Sequence, residues 1–369
     1  MFFHVVLTDE CNMKCRYCYW KCLEDAEIAA NTLETVSVPS EVSYTVSDLK
    51  KFLSKDPDCT VTFYGGEPTL RVPLMRRMMD ELPVKRFMMQ TNGLLLHIVG
   101  KEYINKMHTI LVSVDGDEKL TDFYRGKNTF KAVTKNIEFI RKQGFKGEII
   151  ARMTVMEQTD IYEQVKYLLN HGLFDSVHWQ LDANFWFSDY KKRNFLEWAK
   201  KNYNPGIRKL AEWWLEKMKE GKVPRIYPFM GIMESLLKNE KTMLRCGAGH
   251  SNFAILTDGN IVPCPVMAGL KEFYLGDIWN SHPLELRSNY VFKICPQCNI
   301  YRLCGGRCMY GNAVMPWGEK GHNEVCLTIR NLIEAMKNIL PDVKRLIENE
   351  TIGMKDFEYL KYNGCEIIP

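Results

Sequence analysis

Long apolar runs, charge imbalance and export signals are all scarce in this chain of 369 residues. No apolar run approaches the ~18 residues that a membrane-spanning helix needs. The N-terminal segment MFFHVVLTDEC lacks the basic start and the long apolar run of a signal peptide. The net charge is only +4, from 49 Lys and Arg against 45 Asp and Glu, which is too weak to indicate nucleic-acid binding. We therefore predict a cytoplasmic protein with neither a membrane nor a nucleic-acid partner.

Cysteine, in contrast to these scarce features, is abundant. Hydrophobic residues make up 46% and charged residues 25%, which is ordinary for a globular protein, but the chain contains 13 Cys. A disulfide framework is typical of short secreted chains, and this chain is neither short nor visibly exported. The cysteines are therefore predicted to be metal ligands or reactive groups.

Short apolar segments alternate with helical segments up to about residue 187. Six segments are rich in β-branched or aromatic residues and end at a polar or glycine turn, which is typical of strands. They are residues 2–8, 60–66, 85–93, 108–116, 149–155 and 176–183. The alternation indicates βαβ units that form a parallel sheet or partial barrel, with its site at the carboxyl ends of the strands. The first helix, VSDLKKFLS, is expected to have Ser47 as its N-cap.

The pattern changes after the α/β region. Four segments are predicted: an α/β domain 1–187, a helical region 188–245, a Cys-rich domain 246–326, and a C-terminal helix and tail 327–369. Three Trp side chains are expected to pack the helical region onto the barrel: Trp198, Trp213 and Trp214. The C-terminal helix is expected to be kinked or interrupted at Pro341.

Three cysteines follow the first strand at a fixed spacing. Cys11, Cys15 and Cys18 form C-x3-C-x2-C in CNMKCRYC. Three thiolates suit three irons of a [4Fe–4S] cluster and leave the fourth iron open to a small molecule. A zinc loop or a fortuitous cluster is the alternative, although zinc usually takes four protein ligands.

The second strand ends in the tetrapeptide Gly65-Gly66-Glu67-Pro68. Two glycines let a ligand approach the backbone closely. A carboxylate beside them can receive an ammonium group. The tetrapeptide therefore predicts a ligand-binding segment at the same edge of the sheet as the cysteines.

These motifs resemble those of the radical S-adenosylmethionine (SAM) superfamily. The cysteine spacing with an aromatic residue, Tyr17, before the last Cys is that family's cluster motif, and GGEP at the second strand is its amino-group motif. The resemblance covers essentially residues 2–187 and implies a partial (β/α)6 barrel. It also implies that SAM binds the open iron and is cleaved to a 5′-deoxyadenosyl radical, which abstracts hydrogen from the substrate.

Positions in the strand order suggest which residues would contact SAM in such a barrel. The implied contacts are Tyr17, Gly65, Gly66, Glu67, Pro68, Gln90, Asn92, Ser113, Asp115, Arg125, Arg152, Gln180 and Leu181. The alternative for each polar member is a capped strand end or a surface ion pair.

Seven cysteines follow in the C-terminal half. They are Cys246, Cys264, Cys295, Cys298, Cys304, Cys308 and Cys326. Their order resembles that of the SPASM domain, an appendage of radical SAM enzymes that mature peptides and proteins. The resemblance implies two auxiliary [4Fe–4S] clusters, and so three clusters in all. The distal cluster would be ligated by Cys295, Cys298, Cys304 and Cys326, and the proximal cluster by Cys246, Cys264 and Cys308.

The proximal set lacks the fourth cysteine that fully ligated relatives have. An open iron or a non-Cys ligand is implied, with His250 as a weak candidate. A zinc site at the C-x2-C pair is the alternative. Of the remaining cysteines, Cys22 is expected to pack behind the first cluster or lie idle, Cys59 to be a buried apolar residue, and Cys365 to have no function.

The expected substrate is a peptide or protein side chain, and the expected product is a thioether or carbon–carbon crosslink. Sulfatase-maturing members of the family carry Asp directly after the second SPASM cysteine, whereas Cys264 is followed by Pro265, which counts against that activity. Only ten residues precede Cys11, so an N-terminal peptide-recognition domain is not expected. Peptide recognition is expected from the barrel mouth, from the helices of region 188–245 or from a separate recognition protein. The compact layout resembles peptide-modifying enzymes of archaea, and a reductant such as ferredoxin or flavodoxin is implied. A small-molecule enzyme and an iron–sulfur electron carrier are the alternatives. GGEP and an open first cluster argue against the electron carrier.

Overall fold

The computed structural model describes residues 1–18, 33–186 and 189–363, which fall into two compact units. Unit 1 comprises Met1–Arg152 and Gly247–Asn289, and unit 2 comprises Met153–Cys246 and Tyr290–Pro369. This division cuts across the predicted segments, because the chain leaves unit 1 within a strand and later returns to it. The boundary predicted at 187/188 lies outside the described residues.

Parallel strands form most of the sheet in unit 1. They are β1 (Phe2–Val6), β2 (Thr60–Tyr64), β3 (Arg86–Thr91), β4 (Met107–Ser113) and β5 (Glu148–Val155). Neighbouring strands pair in parallel in the order β5-β4-β3-β2-β1, so their carboxyl ends meet at one edge. β5 continues into unit 2, where β6 (Ser176–Leu181) follows it and the Asp182 N–H donates to the Val155 carbonyl at 3.0 Å. All six predicted strands are therefore confirmed.

The Cys-rich segment adds three strands that the sequence did not predict. β7 (Asn252–Ile255) pairs in parallel with β1, and β8 (Asn260–Val262) and β9 (Gly276–Asp277) follow as antiparallel neighbours. These strands span two to four residues. Such lengths are too short for alternation of apolar and polar residues to stand out.

Five α-helices connect or flank the strands of unit 1 in the described residues. They are α1 (Val46–Leu53), α2 (Val72–Glu81), α3 (Lys101–Lys106), α4 (Glu118–Arg125) and α5 (Thr129–Lys142). The predicted Ser47 N-cap of α1 is wrong. Thr45 caps the helix by accepting the Asp48 N–H at 3.1 Å, and the Asp48 carboxylate bonds back to Thr45. This reciprocal capping box satisfies two backbone donors, which a cap at Ser47 would not do.

Unit 2 is mainly helical. Its α-helices are α6 (Ile161–Asn170), α7 (Phe195–Trp198), α8 (Asn204–Lys219), α9 (Tyr227–Leu237), α10 (Tyr301–Cys304), α11 (Met309–Ala313) and α12 (Gly318–Glu348), with a π-helical turn at Ala199–Tyr203. Within the described ranges, no helix has both the length and the apolar character to cross a membrane.

The long helix α12 corrects two expectations. It begins at Gly318, well before residue 327, so Cys326 lies on it, and it continues through Pro341 without interruption. A proline removes one helical hydrogen bond. The 31-residue helix tolerates that loss because it packs along α8 and α9, which hold its turns in place.

Tryptophans tie the helices of unit 2 to β6. Trp214 of α8 is fully buried, its ring centroid lies 5.5 Å from Phe229 of α9, and Phe229 lies 5.8 Å from Trp179 of β6. Trp198 is also buried, whereas Trp213 is half-buried. Two of the three Trp predicted to pack the helices are therefore core residues.

Candidate functional site

The loop that carries the first three cysteines leaves the carboxyl end of β1 in unit 1. Cys11, Cys15 and Cys18 are half-buried. Burial raises the pKa of the Cys15 thiol, Arg125 opposes that rise, and Cys18 and Cys11 add to it. The three sulfurs therefore share one electrostatic environment, at the edge where the fold places a site.

Among the described residues, no three His, Cys, Asp or Glu side chains converge on one metal ion. In a [4Fe–4S] cluster each thiolate binds a different iron, so its ligands need not converge so closely. Three thiols on one short loop fit such a cluster.

The two glycines of GGEP are required by the chain's own backbone. A Cβ on Gly65 would lie 2.2 Å from the Thr8 carbonyl oxygen, and one on Gly66 would lie 2.2 Å from that of Glu10. The Gly66 N–H donates to Thr8 O at 2.9 Å, and the Glu67 N–H donates to Glu10 O at 2.8 Å. The glycines therefore let the stem of the cysteine loop pack on the end of β2, which is a different reason from the close approach of a ligand that we expected.

Glu67 is a buried structural anchor. Its side chain has no exposed surface, and it caps the 3-10 helix Pro68–Arg71. The carboxylate accepts hydrogen bonds from the Thr69 N–H at 3.0 Å, the Thr91 hydroxyl at 2.7 Å and the Asn92 N–H at 2.7 Å, and also from the Thr69 hydroxyl. Burial raises its pKa, and these donors oppose the rise. Glu67 thus joins the GGEP segment to the end of β3.

Asn92 extends this anchor to the cysteine loop. Its Nδ2 donates to the Asn12 side-chain oxygen at 2.7 Å, and its own Oδ1 accepts the Leu94 N–H at 3.0 Å. Asn12 stands directly after Cys11. The predicted site residue Asn92 therefore positions the first cysteine.

Tyr17 fastens the other end of the loop to β4 and α4. Its hydroxyl donates to the Asp115 carboxylate, at 2.7 and 2.8 Å from the two oxygens. Arg125 donates to both oxygens of the same carboxylate, with Nε at 2.8 Å and Nη2 at 3.2 Å. The Asp115 and Arg125 side chains are 0% and 7% exposed. The Arg16 N–H also donates to Tyr124 O at 2.9 Å.

The polar groups of Asp115 and Arg125 are thus already satisfied by each other and by Tyr17. Burial lowers the pKa of Arg125, but the attraction of Asp115 outweighs that effect and raises it. The structure gives Tyr17, Asp115 and Arg125 a shared role in holding the cysteine loop, and their predicted contact with SAM stays a prediction.

The remaining predicted SAM contacts lie near the carboxyl ends of their strands. Gln90 on β3, Ser113 on β4 and Arg152 on β5 are half-buried, and Ser113 and Arg152 are register partners in unit 1. In unit 2, Gln180 is half-buried on β6 and Leu181 is fully buried. Their roles toward SAM stay predictions.

Several residues that shape this site were not predicted. They are Asn12, Glu41, Thr69, Arg71 and Thr91. Arg71 bonds Glu41 at 2.6 Å and Glu10 at 2.7 Å, beside Cys11. Thr69 directly follows GGEP, and Thr91 lies between the predicted residues Gln90 and Asn92. Hydroxyl residues next to predicted site residues were therefore the available signal.

Four cysteines gather in unit 2. Cys295 opens a 3-10 turn, Cys304 ends α10, and Cys326 lies on α12. Burial raises the pKa of Cys295 to about 12, with Cys304, Cys326 and Cys298 adding to the rise. The four residues predicted to ligate the distal cluster are therefore neighbours, and this donor set fits a [4Fe–4S] cluster.

The three cysteines predicted for the proximal cluster belong to different units. Cys246 and Cys308 lie in unit 2 and Cys264 lies in unit 1. Cys308 caps α11, where its Sγ accepts the Gly311 N–H at 3.4 Å. His250 bonds Ser251 at 2.8 Å. The proximal ligand set stays a prediction.

Cys59 is fully buried, and burial raises its pKa to about 12, as expected for an apolar structural cysteine. Cys22 and Cys365 lie outside the described residues.

A cluster of acids that the sequence did not reveal lies in unit 2, after β5 and β6. Arg193 bonds Glu157 at 2.9 and 3.0 Å, Asp189 at 3.0 Å and Asp182 at 3.3 Å. Three carboxylates thus share one guanidinium. Burial raises the pKa of Asp182 to about 7 against the opposing effect of Arg193.

Comparisons with known proteins agree with this geometry. The profile of the radical SAM superfamily matches residues 5–169, and that of SPASM, an iron–sulfur cluster-binding domain, matches residues 246–299. The cysteine-type anaerobic sulfatase-maturating enzyme of Clostridium perfringens is 24% identical over 326 residues, which is 81% of this chain and 85% of that protein. The antilisterial bacteriocin subtilosin biosynthesis protein AlbA of Bacillus subtilis is 24% identical over 299 residues, which is 78% of this chain and 60% of that protein.

A solved structure shares the fold. Native anSMEcpe with bound AdoMet and Cp18Cys peptide superposes with a TM-score of 0.70 at 20% identity, and the match covers 94% of this chain and 99% of that one.

The parallel sheet, the cysteine loop and the two profiles define the class: an α/β radical SAM domain with a partial barrel sheet and a C-terminal SPASM domain. The chain is a radical SAM enzyme, and its cofactors are SAM and three [4Fe–4S] clusters. Its sequence is close to those of maturases that act on peptides and proteins.

Proposed function

We propose that this enzyme abstracts hydrogen from a side chain of a peptide or protein and forms a thioether or carbon–carbon crosslink there. The observation that carries the proposal is the attachment of the cysteine loop to the segments that follow β2, β3 and β4, through Glu10, Asn12 and Tyr17. Arg16 attaches the loop to α4 as well. A protein that only carries electrons does not need its cysteine loop to be fixed at the carboxyl edge of a sheet. The relative whose structure holds both AdoMet and a peptide supports a peptide substrate.

The predicted cluster ligands and SAM contacts would have different roles in this reaction. Cys11, Cys15 and Cys18 would ligate three irons of the SAM cluster. When bound, that cluster and SAM supply a 5′-deoxyadenosyl radical. Gln90, Ser113 and Arg152 would line the SAM site, because each is half-buried in the carboxyl-terminal half of one of three adjacent strands. Ser113 can accept or donate a hydrogen bond, and Arg152 can pair with a carboxylate.

The substrate differs from that of sulfatase maturases. Pro265 follows Cys264 where those enzymes carry an acid, and Pro265 begins a buried 3-10 turn. Proline cannot accept a proton from a substrate. We therefore favour a peptide-crosslinking reaction over sulfatase maturation.

A reductant such as ferredoxin or flavodoxin would supply electrons, and a separate protein would present the peptide. The many free thiols suit a reducing compartment, so we place the enzyme in the cytoplasm.

The test uses anaerobically reconstituted enzyme with SAM and dithionite. We expect about twelve irons per chain and release of 5′-deoxyadenosine. A Cys11→Ala, Cys15→Ala, Cys18→Ala triple variant should keep about eight irons, because the auxiliary ligands lie elsewhere in the chain. It should release no 5′-deoxyadenosine. Persistent SAM cleavage in that variant would disprove the assignment of the loop.

The substrate class is tested by mass spectrometry. Either crosslink removes two hydrogen atoms from the peptide. Peptides encoded beside this gene should lose that mass only with the wild-type enzyme. Turnover of a small molecule, with every such peptide unchanged, would overturn the peptide proposal.

A further inference from the structure

Arg307 is a buried cation in the cysteine-rich part of unit 2. It stands between Cys304 and Cys308 and is 6% exposed. Its Nη2 makes one long hydrogen bond, 3.4 Å to the Ala183 carbonyl, and its Nε has no hydrogen-bond partner. Within the part of the chain that the structure describes, no carboxylate pairs with Arg307.

Two further features make this arrangement costly. Arg307 has a φ of 55°, a left-handed conformation that non-glycine residues avoid. A buried guanidinium without a counter-charge is disfavoured, and a buried N–H without an acceptor adds to the cost. Such a residue at a site rich in cysteines points to an anion that completes it.

Neighbouring arginines show the contrast. Arg245 is also buried, but its guanidinium is satisfied by Leu303 O at 2.9 Å, Gly231 O at 2.7 Å and the Ser235 hydroxyl at 3.0 Å. Arg330 donates to the Cys298 sulfur at 3.0 Å. Arg307 differs from both because, within the described residues, its buried Nε has no acceptor.

The segment that carries Arg307 packs against the distal cysteines. The Cys295 thiol donates to the Asn312 side-chain oxygen at 3.0 Å, and Nδ2 of Asn312 donates at 2.6 Å to the carbonyl of Gly306, which directly precedes Arg307. Cys304, at the end of α10, stands three residues before Arg307. Four thiolates around iron form an anionic centre beside this cation.

We propose that Arg307 is the buried counter-ion of the [4Fe–4S] cluster ligated by Cys295, Cys298, Cys304 and Cys326, and that it raises the reduction potential of that cluster. The proposal rests on the proposed function, which places a cluster on these four cysteines. Net charge, hydrogen bonds to sulfur and solvent exposure set such potentials. Reduction adds one electron and no proton, so a fixed cation stabilises the reduced cluster more than the oxidised one.

The inference has a functional consequence. Crosslinking is an oxidation of the peptide, so an electron must leave the substrate. A distal cluster with a raised potential is suited to accept that electron. Arg307 is then a positioning and tuning residue, and it does not contact the substrate.

The experiment is a potentiometric EPR titration of the holoenzyme in the triple-alanine background that removes the SAM cluster. A Cys326→Ala variant identifies the distal signal by its loss. Arg307→Met removes the charge and keeps most of the length, and Arg307→Lys keeps the charge. Arg302→Gln is the matched control, because Arg302 is an exposed arginine of α10 that bonds Asn239.

In Arg307→Met the ratio of reduced to oxidised distal cluster, at the wild-type midpoint, should fall at least about tenfold, which is 59 mV for a one-electron couple. Arg307→Lys and Arg302→Gln should shift it much less. Loss of the distal iron in Arg307→Met but not in Arg307→Lys would also support the counter-ion role. An unchanged potential at full iron content, or equal iron loss in both Arg307 variants, would overturn the inference alone. A background protein with fewer than about eight irons would instead refute the cluster assignment of the proposed function.

Discussion

The hydroxyl of Tyr17 offers a single-atom test of how the cysteine loop is held. Tyr17→Phe removes the bond to Asp115 but keeps the ring, which packs 5.4 Å from Tyr124 and lies under the Arg125 guanidinium at 5.4 Å. A hydrogen bond to a charged group contributes about 1.5–3 kcal/mol. If the loop must detach before the cluster loses iron, that energy corresponds to roughly 10- to 150-fold faster release.

The assay follows iron transfer from the reduced, anaerobic protein to a chelator. About one third of the iron belongs to the SAM cluster, and the auxiliary iron serves as an internal reference. Tyr103→Phe is the matched control, since its hydroxyl also donates to a carboxylate, Asp80 at 2.8 Å, but on the surface. The control should release iron at the wild-type rate.

A double-mutant cycle makes the reasoning refutable. In an Asp115→Asn background the acceptor of Tyr17 is changed, so Tyr17→Phe should add little further acceleration. Wild-type iron release in Tyr17→Phe would show that the hydroxyl does not hold the loop. Equal acceleration in both backgrounds would show that it acts through a group other than Asp115.

Two further outcomes follow from buried carboxylates. Glu67→Gln should lower the free energy of unfolding by at least about 1–3 kcal/mol, because an amide NH2 must then face a buried donor such as the Asn92 N–H. Anaerobic urea unfolding measures this change, with the half-buried Glu81→Gln as control. Equal stabilities of wild type and Glu67→Gln would contradict the role of Glu67 as anchor. The pKa of Asp182 is raised from 3.8 to about 7, so the folded protein binds the proton more tightly and stability should fall as the pH rises between these values. Unfolding from about pH 5.5 to about pH 8 should therefore show a loss near 2 kcal/mol that Asp182→Asn lacks, and an identical slope in the variant would contradict it.

Periodicity and spacing predicted the parts of this protein that are local in sequence. The six parallel strands follow from runs of apolar residues, and the cysteine loop follows from fixed offsets after β1. The short strands β7 to β9 could not be predicted, because their stability comes from pairing with β1 and with each other. The interruption expected at Pro341 is absent for a similar reason, since the packing of α12 against other helices outweighs the tendency of proline to end a helix.

The roles of the site residues were harder to predict, because they depend on hydrogen-bond partners that are distant in sequence. Asn12 and Asn92 are 80 residues apart, and Tyr17 and Asp115 are 98 residues apart. The family resemblance and the place in the strand order predicted Asn92, Asp115 and Arg125 as SAM contacts. Only the structure shows that their polar atoms bind the chain itself.

Buried polar side chains of this enzyme are of two kinds, those whose hydrogen bonds are made within the protein and those whose hydrogen bonds are incomplete. Glu67 accepts four hydrogen bonds and Asp115 is held by Tyr17 and Arg125, so neither carboxylate has an evident need for a ligand. We therefore expect both to act by fixing the loop and the GGEP segment, while half-buried Ser113 and Arg152 face the ligand. Arg307 is the opposite case, since its burial makes sense only with an anion beside it. A residue whose hydrogen bonds are complete in the protein supports a site, whereas a buried charge left incomplete indicates what the site must bind.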